Sequence, residues 1–101
     1  MKLIIALGIK ELQKELSQVF KDNKIPIFSK VNIEGFKTED NEVDMTNWFV
    51  KDVHADFSVM FFAFVPAGQA DSILKAIDDL NLSRKRVNAF HAFQLPVEKF
   101  V

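Results

Sequence analysis

Residues 57–65, Phe-Ser-Val-Met-Phe-Phe-Ala-Phe-Val, are apolar at almost every position. In an extended strand, alternate side chains point to opposite faces. Phe57, Val59, Phe61, Ala63 and Val65 therefore line one face, and Met60, Phe62 and Phe64 the other. Both faces require cover. The run is bounded by Pro66 and Gly68 and is too short to span a membrane, so it predicts a central strand. Residues 1–7, again nearly continuous in apolar side chains, predict a first central strand, and Gly8 a turn. Over 9–23, Ile9, Leu12, Leu16, Val19 and Phe20 recur at helical spacing, with Lys10, Glu11, Lys14, Glu15 and Lys21 opposite. That pattern predicts an amphipathic helix. Pro26 marks its exit. Phe28, Val31, Ile33 and Phe36, with Lys30, Asn32 and Glu34 between them, predict a strand over 28–36, and Gly35 near its end suggests a bulge or a close backbone approach. A second helix is predicted over 68–81 from Ala70, Ile73, Leu74, Ile77 and Leu80, with Asp71, Lys75, Asp78 and Asp79 outside. A short basic turn follows, then a last strand over 87–95 stopped by Pro96, and a brief tail.

The order strand, helix, strand, strand, helix, strand defines an α+β class. It predicts a ferredoxin-like βαββαβ sandwich in one domain over 1–101: a four-stranded antiparallel sheet with both helices on one face. The second sheet face is then uncovered. It carries either Met60, Phe62 and Phe64 or the Phe61 set, and leaving such a patch in water costs about 25 cal/mol per Å². A second copy of the chain or a bound partner is the expected cover. Residues 37–55 follow no period: an acidic run of Glu39, Asp40, Glu42 and Asp44 precedes Trp48, Phe49, Val50 and His54. A connection of roughly twenty residues in a small domain is unusual and predicts a working loop. Its Trp48, Phe49 and His54 are candidates for partner contact, with packing of Trp48 and Phe49 back onto their own body as the alternative.

Composition narrows the chemistry. The 101 residues are 49% hydrophobic and carry a formal charge of −1, with pI about 6.1, so no overall positive field draws the protein to nucleic acid or an anionic membrane. The absence of cysteine removes disulfides, thiolate metal sites and cysteine nucleophiles, and agrees with a cytoplasmic location. The apolar 3–9 stretch has no small-residue cleavage pattern and reads as a strand, not a signal peptide. No serine sits in a nucleophile elbow and no glycine-rich phosphate loop occurs, so no enzyme activity is expected and no cofactor is identified. Arg84, Lys85 and Arg86 can receive a phosphate, carboxylate or bicarbonate as side-chain cations. If extended, His54 shares one side with Asp52 and Asp56, a weak metal-site candidate.

Three segments resemble the nitrogen-regulatory PII signalling proteins and their PII-like and CutA-type relatives. They are Val31-Asn-Ile-Glu-Gly-Phe36, Val59 to Pro66 followed by a helix with Leu74-Lys-Ala-Ile77, and Ala92-Phe-Gln-Leu-Pro-Val-Glu98. The resemblance covers most of the chain in order, and includes a long loop after strand two where that family carries its partner-binding T-loop. It implies a regulatory homotrimer whose sheets face one another inside, with Met60, Phe62 and Phe64 at the interface. A small anionic ligand or nucleotide would sit in clefts between subunits, beside Gly35, Phe36 and Lys37 and the Arg84, Lys85 and Arg86 turn. The loop would reach an enzyme or a membrane transporter. The turn departs from the family: Asn81-Leu-Ser-Arg-Lys-Arg86 has no glycine, whereas the ATP-binding members hold phosphates on glycine-rich backbone amides. CutA-type relatives imply metal binding as an alternative. RNA-recognition motifs offer another, since Phe62-Ala-Phe-Val65 and the helix ending Lys75-Ala-Ile-Asp-Asp-Leu-Asn81 are similar to their third strand and second helix, with Phe62 and Phe64 stacking bases. Against that reading, Val59 and Met60 replace the basic residue and glycine that open that family's third strand, and residues 2–7 hold no aromatic.

Overall fold

A computed structural model describes residues 1–35 and 58–101. Its elements are β1 (Lys2–Ile9), a 3-10 turn (Lys10–Leu12) running into α1 (Gln13–Asp22), β2 (Ser29–Ile33), β3 (Ser58–Val65), α2 (Ala67–Ser83) and β4 (His91–Pro96). The strands form one antiparallel sheet in the order β2-β3-β1-β4, and the fold is the expected ferredoxin-like α+β sandwich. The long loop expected over 37–55 lies outside the described residues.

Register decides which side of β3 faces the helices. Ala63 pairs with Ile4 and Phe61 with Ala6, and all four are buried together with Leu16 and Phe20 of α1 and Ala70, Ile73 and Ile77 of α2. Val59, Phe61, Ala63 and Val65 therefore form the core face, and Phe57 lies outside the described residues. Phe20, Phe28 and Phe61 meet at its centre with ring centroids 5.1 to 6.0 Å apart. At about 1.5–3 kcal/mol per fully buried large apolar side chain, rings such as Phe20 and Phe61 dominate the packing of α1 on the sheet. α1 stops without a glycine. Lys24 takes a left-handed φ of 58°, its N–H donates to the Lys21 carbonyl (2.9 Å), and the Ile25 N–H donates to that of Phe20 (3.1 Å). This Schellman arrangement satisfies the helix end and turns Ile25 into the core.

Several sequence expectations shift. Gly8 is not a turn: β1 continues through it to Ile9, and the helical spacing read from Ile9 begins as a 3-10 turn at Lys10. β2 is shorter than 28–36, and Gly35 lies beyond its end, so it is no bulge within a strand. α2 runs past Asn81 to Ser83, and β4 begins at His91 rather than at 87, because backbone turns occupy the intervening stretch. Pro96 is the last residue of β4, at the sheet edge where a missing N–H is tolerated.

Gly8 has a packing reason. A Cβ built there would lie 2.5 Å from Phe90 Cδ1 and 2.8 Å from Cε1, so the Phe90 ring occupies the space of the missing side chain. Gly68, in the first turn of α2, meets nothing within 4 Å. Gly8→Ala is expected to lower the unfolding free energy by about 1–3 kcal/mol through overpacking. Gly68→Ala should leave it unchanged or raise it by about 0.5 kcal/mol. Urea denaturation of the two variants checks both; equal effects would contradict the packing of Phe90 on β1.

Candidate ligand-binding site

The basic turn is the end of α2, and backbone hydrogen bonds close it. The Lys85 N–H donates to the Leu82 carbonyl (3.0 Å) and the Arg86 N–H to that of Asn81 (2.8 Å), a second Schellman motif. The residue outside the helix that normally is glycine is here Lys85, at φ 54°, followed by Arg86 at 58° and Asn88 at 51°. The Arg84 and Val87 N–H groups are also engaged, with the Leu80 and Arg84 carbonyls. Four successive amides from Arg84 to Val87 are thus satisfied within the turn. They form no cradle for a phosphate, and an anion here meets side-chain cations instead.

Asn81 ties the turn to the sheet. Its side chain is buried, Nδ2 donates to the Phe90 carbonyl, and Oδ1 accepts from the Phe90 N–H, both at 2.8 Å. One amide group satisfies both polar groups of one backbone residue, as a neighbouring strand would. The Phe90 ring then packs over Gly8. Sequence reasoning missed Asn81 and Phe90 as a pair; a buried-capable Asn in the last turn of an amphipathic helix, just before a reversal, is the signal that was available.

The three cations have different surroundings. Arg84 Nη1 contacts both carboxylate oxygens of Glu15 on α1, at 3.1 and 3.4 Å. Arg86 Nη2 lies 3.4 Å from Asp78 Oδ1, an exposed pair. Lys85 is exposed and forms no ion pair among the described residues. Glu15, 69 residues from Arg84, could not be foreseen from local pattern. Gly35 is buried and lies beyond β2, at the end of the sheet where Ile33 pairs with Ser58 and Ser58 with Ile9. The basic turn precedes His91, whose strand starts opposite Leu7 at that same end, but on the other edge. Two strands intervene, roughly 14 Å at ordinary strand spacing, so one chain does not bring β2's end against the turn. Phe36, Lys37, Trp48, Phe49, Asp52, His54 and Asp56 lie outside the described residues. Among the described residues, no cluster of three metal-ligating side chains occurs, and no helix is long and apolar enough to cross a membrane.

The open sheet face carries Met60, Phe62 and Phe64 of β3. Pairing places Leu3, Ile5 and Leu7 of β1 beside them, with Phe93 and Leu95 of β4 and Val31 and Ile33 of β2 further out. Phe64 is 57% exposed, and Val31 and Leu95 are each 42% exposed. No lysine or arginine stands among the paired strand residues of this face, so base stacking on them would lack strand-borne cations for a phosphate backbone.

No protein-family model matches the sequence, and no curated protein matches it. Solved structures do resemble the chain. A putative PII-like signalling protein from Thermus thermophilus superposes with a TM-score of 0.65 at 14% identity, over 93% of this chain and 82% of that one. CPII from Thiomonas intermedia, bound to ADP and bicarbonate, gives 0.59 at 13% identity over 97% and 88%. A DUF3240 family protein from Shewanella baltica gives 0.64 at 19% identity over 99% and 92%. The chain has the fold of the PII-like signalling proteins, as the resemblance of its strand and helix segments implied.

Asn81→Ala should cost about 2–3 kcal/mol, since it strands a buried N–H and a buried carbonyl at Phe90. Hydrogen exchange should show the Phe90 amide losing protection while the β1–β3 pair keeps its own. Lys85→Gly should raise stability by about 0.5–1 kcal/mol, by relieving the left-handed backbone. A loss of stability in thermal denaturation would contradict that assignment of the turn.

Proposed function

We propose that this chain is a cytoplasmic PII-like sensor, a single-domain regulator and not an enzyme. It works as a homotrimer whose open sheet faces, through Met60, Phe62 and Phe64, meet inside. A small anion or nucleotide binds at the clefts between subunits, where Arg84, Lys85 and Arg86 of one chain approach Gly35, Phe36 and Lys37 of the next. The ligand changes which enzyme or membrane transporter the 37–55 segment engages, with Trp48, Phe49 and His54 as contact residues. Such a switch requires different ligand affinity in the two states of that segment.

One observation carries this reading: a PII-like fold presents a sheet face to which all four strands contribute apolar side chains, with Ser29, Ser58 and His91 as its polar positions and Phe64 more than half exposed. A second copy of the same chain is the occupant that matches it in size and character. The placement of Gly35 and the basic turn on opposite edges of one end of the sheet agrees with a cleft completed by a neighbour. ADP and bicarbonate bound to CPII support an anionic ligand of this class. The chemistry of the turn restricts how it is held: of the three cations Lys85 is the one without an ion pair among the described residues, and the main-chain amides of 84–87 are already engaged.

Light scattering should give a mass of three times 11.6 kDa, and Phe64→Glu should reduce it to the monomer; a wild-type monomer would overturn the trimer. ADP with bicarbonate should raise the melting temperature of the wild type. Lys85→Gly, which keeps the turn, should lose most of that rise, and a full rise in this variant would remove Lys85 from the site.

A further inference from the structure

The side chains around the basic turn differ in how far water screens them. The Arg84 side chain is 27% exposed and Arg86 58%, so Arg84 carries the stronger local field of the two guanidinium groups. It is already occupied by Glu15, but through one nitrogen only. Nη1 serves both carboxylate oxygens, Nη2 makes no hydrogen bond among the described residues, and Nε is buried without a partner among them. A guanidinium holds a carboxylate or phosphate best through two parallel N–H···O bonds from two nitrogens. This pair falls short of that geometry. Glu15 is itself 42% exposed, so its carboxylate can swing into water without burying an unpaired charge.

We propose that Glu15 is an internal competitor for the ligand: it holds Arg84 in the free protein, and an incoming phosphate or carboxylate anion takes Arg84 by displacing it. This rests on the placement of the ligand at the 84–86 turn proposed above. Arg84 sits at the end of α2 and Glu15 on α1, so displacement opens the ionic clasp between the two helices. Ligand binding and helix contact are then linked, and each weakens the other by the same factor.

The test measures binding of inorganic phosphate, and separately of ADP, by isothermal titration calorimetry to the full chain. Glu15→Gln is compared with Asp78→Asn, which removes the same charge from the exposed Arg86 pair. Glu15→Gln should bind about fivefold more tightly, the scale of losing one part-buried ion pair as a rival. Asp78→Asn should stay within about twofold, as an exposed pair contributes little. The melting temperature of free Glu15→Gln should fall, while its ligand-induced rise grows. Equal or weaker binding by Glu15→Gln overturns the proposal and leaves the site standing. Equal gains in both variants reduce it to a net-charge effect and also overturn it. If the wild type and both variants bind neither probe, the ligand site itself fails.

Discussion

β3 is apolar on both sides, and the helices of its own chain can cover only one. That constraint orders the rest of the molecule. Pairing with β1 on one side and β2 on the other sets Val59, Phe61, Ala63 and Val65 against α1 and α2, and consigns Met60, Phe62 and Phe64 to the opposite face. A one-residue slip against β1 would exchange the two sets. If β3 kept its faces instead, the same slip would turn Ile4 and Ala6, the fully buried residues of β1, away from the helices that cover them.

The fold was legible because its signals are periodic and local. The helical spacings of Leu16 and Phe20 and of Ala70, Ile73 and Ile77 mark the inward stripes, and all are buried. The double-sided β3 announced a central strand, and it is paired on both edges. What misled was the conventional reading of single residues. Gly8 looked like a turn because glycine so often is one, yet its missing side chain makes room for a phenylalanine 82 positions later in the chain. Val87 looked like the start of a strand, yet the positive φ angles at Lys85, Arg86 and Asn88 keep the backbone turning past it.

The candidate site was legible in kind more than in detail. Three adjacent cations are visible in any reading of the chain; their inequality is not, because it depends on Glu15 and Asp78 arriving from other turns of the fold. The lack of glycine in 81–86 argued against a main-chain phosphate cradle, and the hydrogen bonding of the four amides supplies the physical reason. Likewise, the open face was inferred from β3 alone, whereas its breadth comes from the register that lines up Leu3, Ile5, Leu7, Phe93 and Leu95 beside it.

The bond between Asn81 and Phe90 makes α2 a measuring rod for β4. Each residue of an α-helix turns the next by about 100° and advances it by about 1.5 Å. A single insertion or deletion between Ala67 and Asn81 would therefore swing the Asn81 amide out of reach of Phe90, even if every other helical contact could adjust. The length of this helix is fixed by a strand it does not belong to. A change of length inside that span should therefore disturb β4 more than one outside it, since the phase of the last strand is inherited from the helix before it.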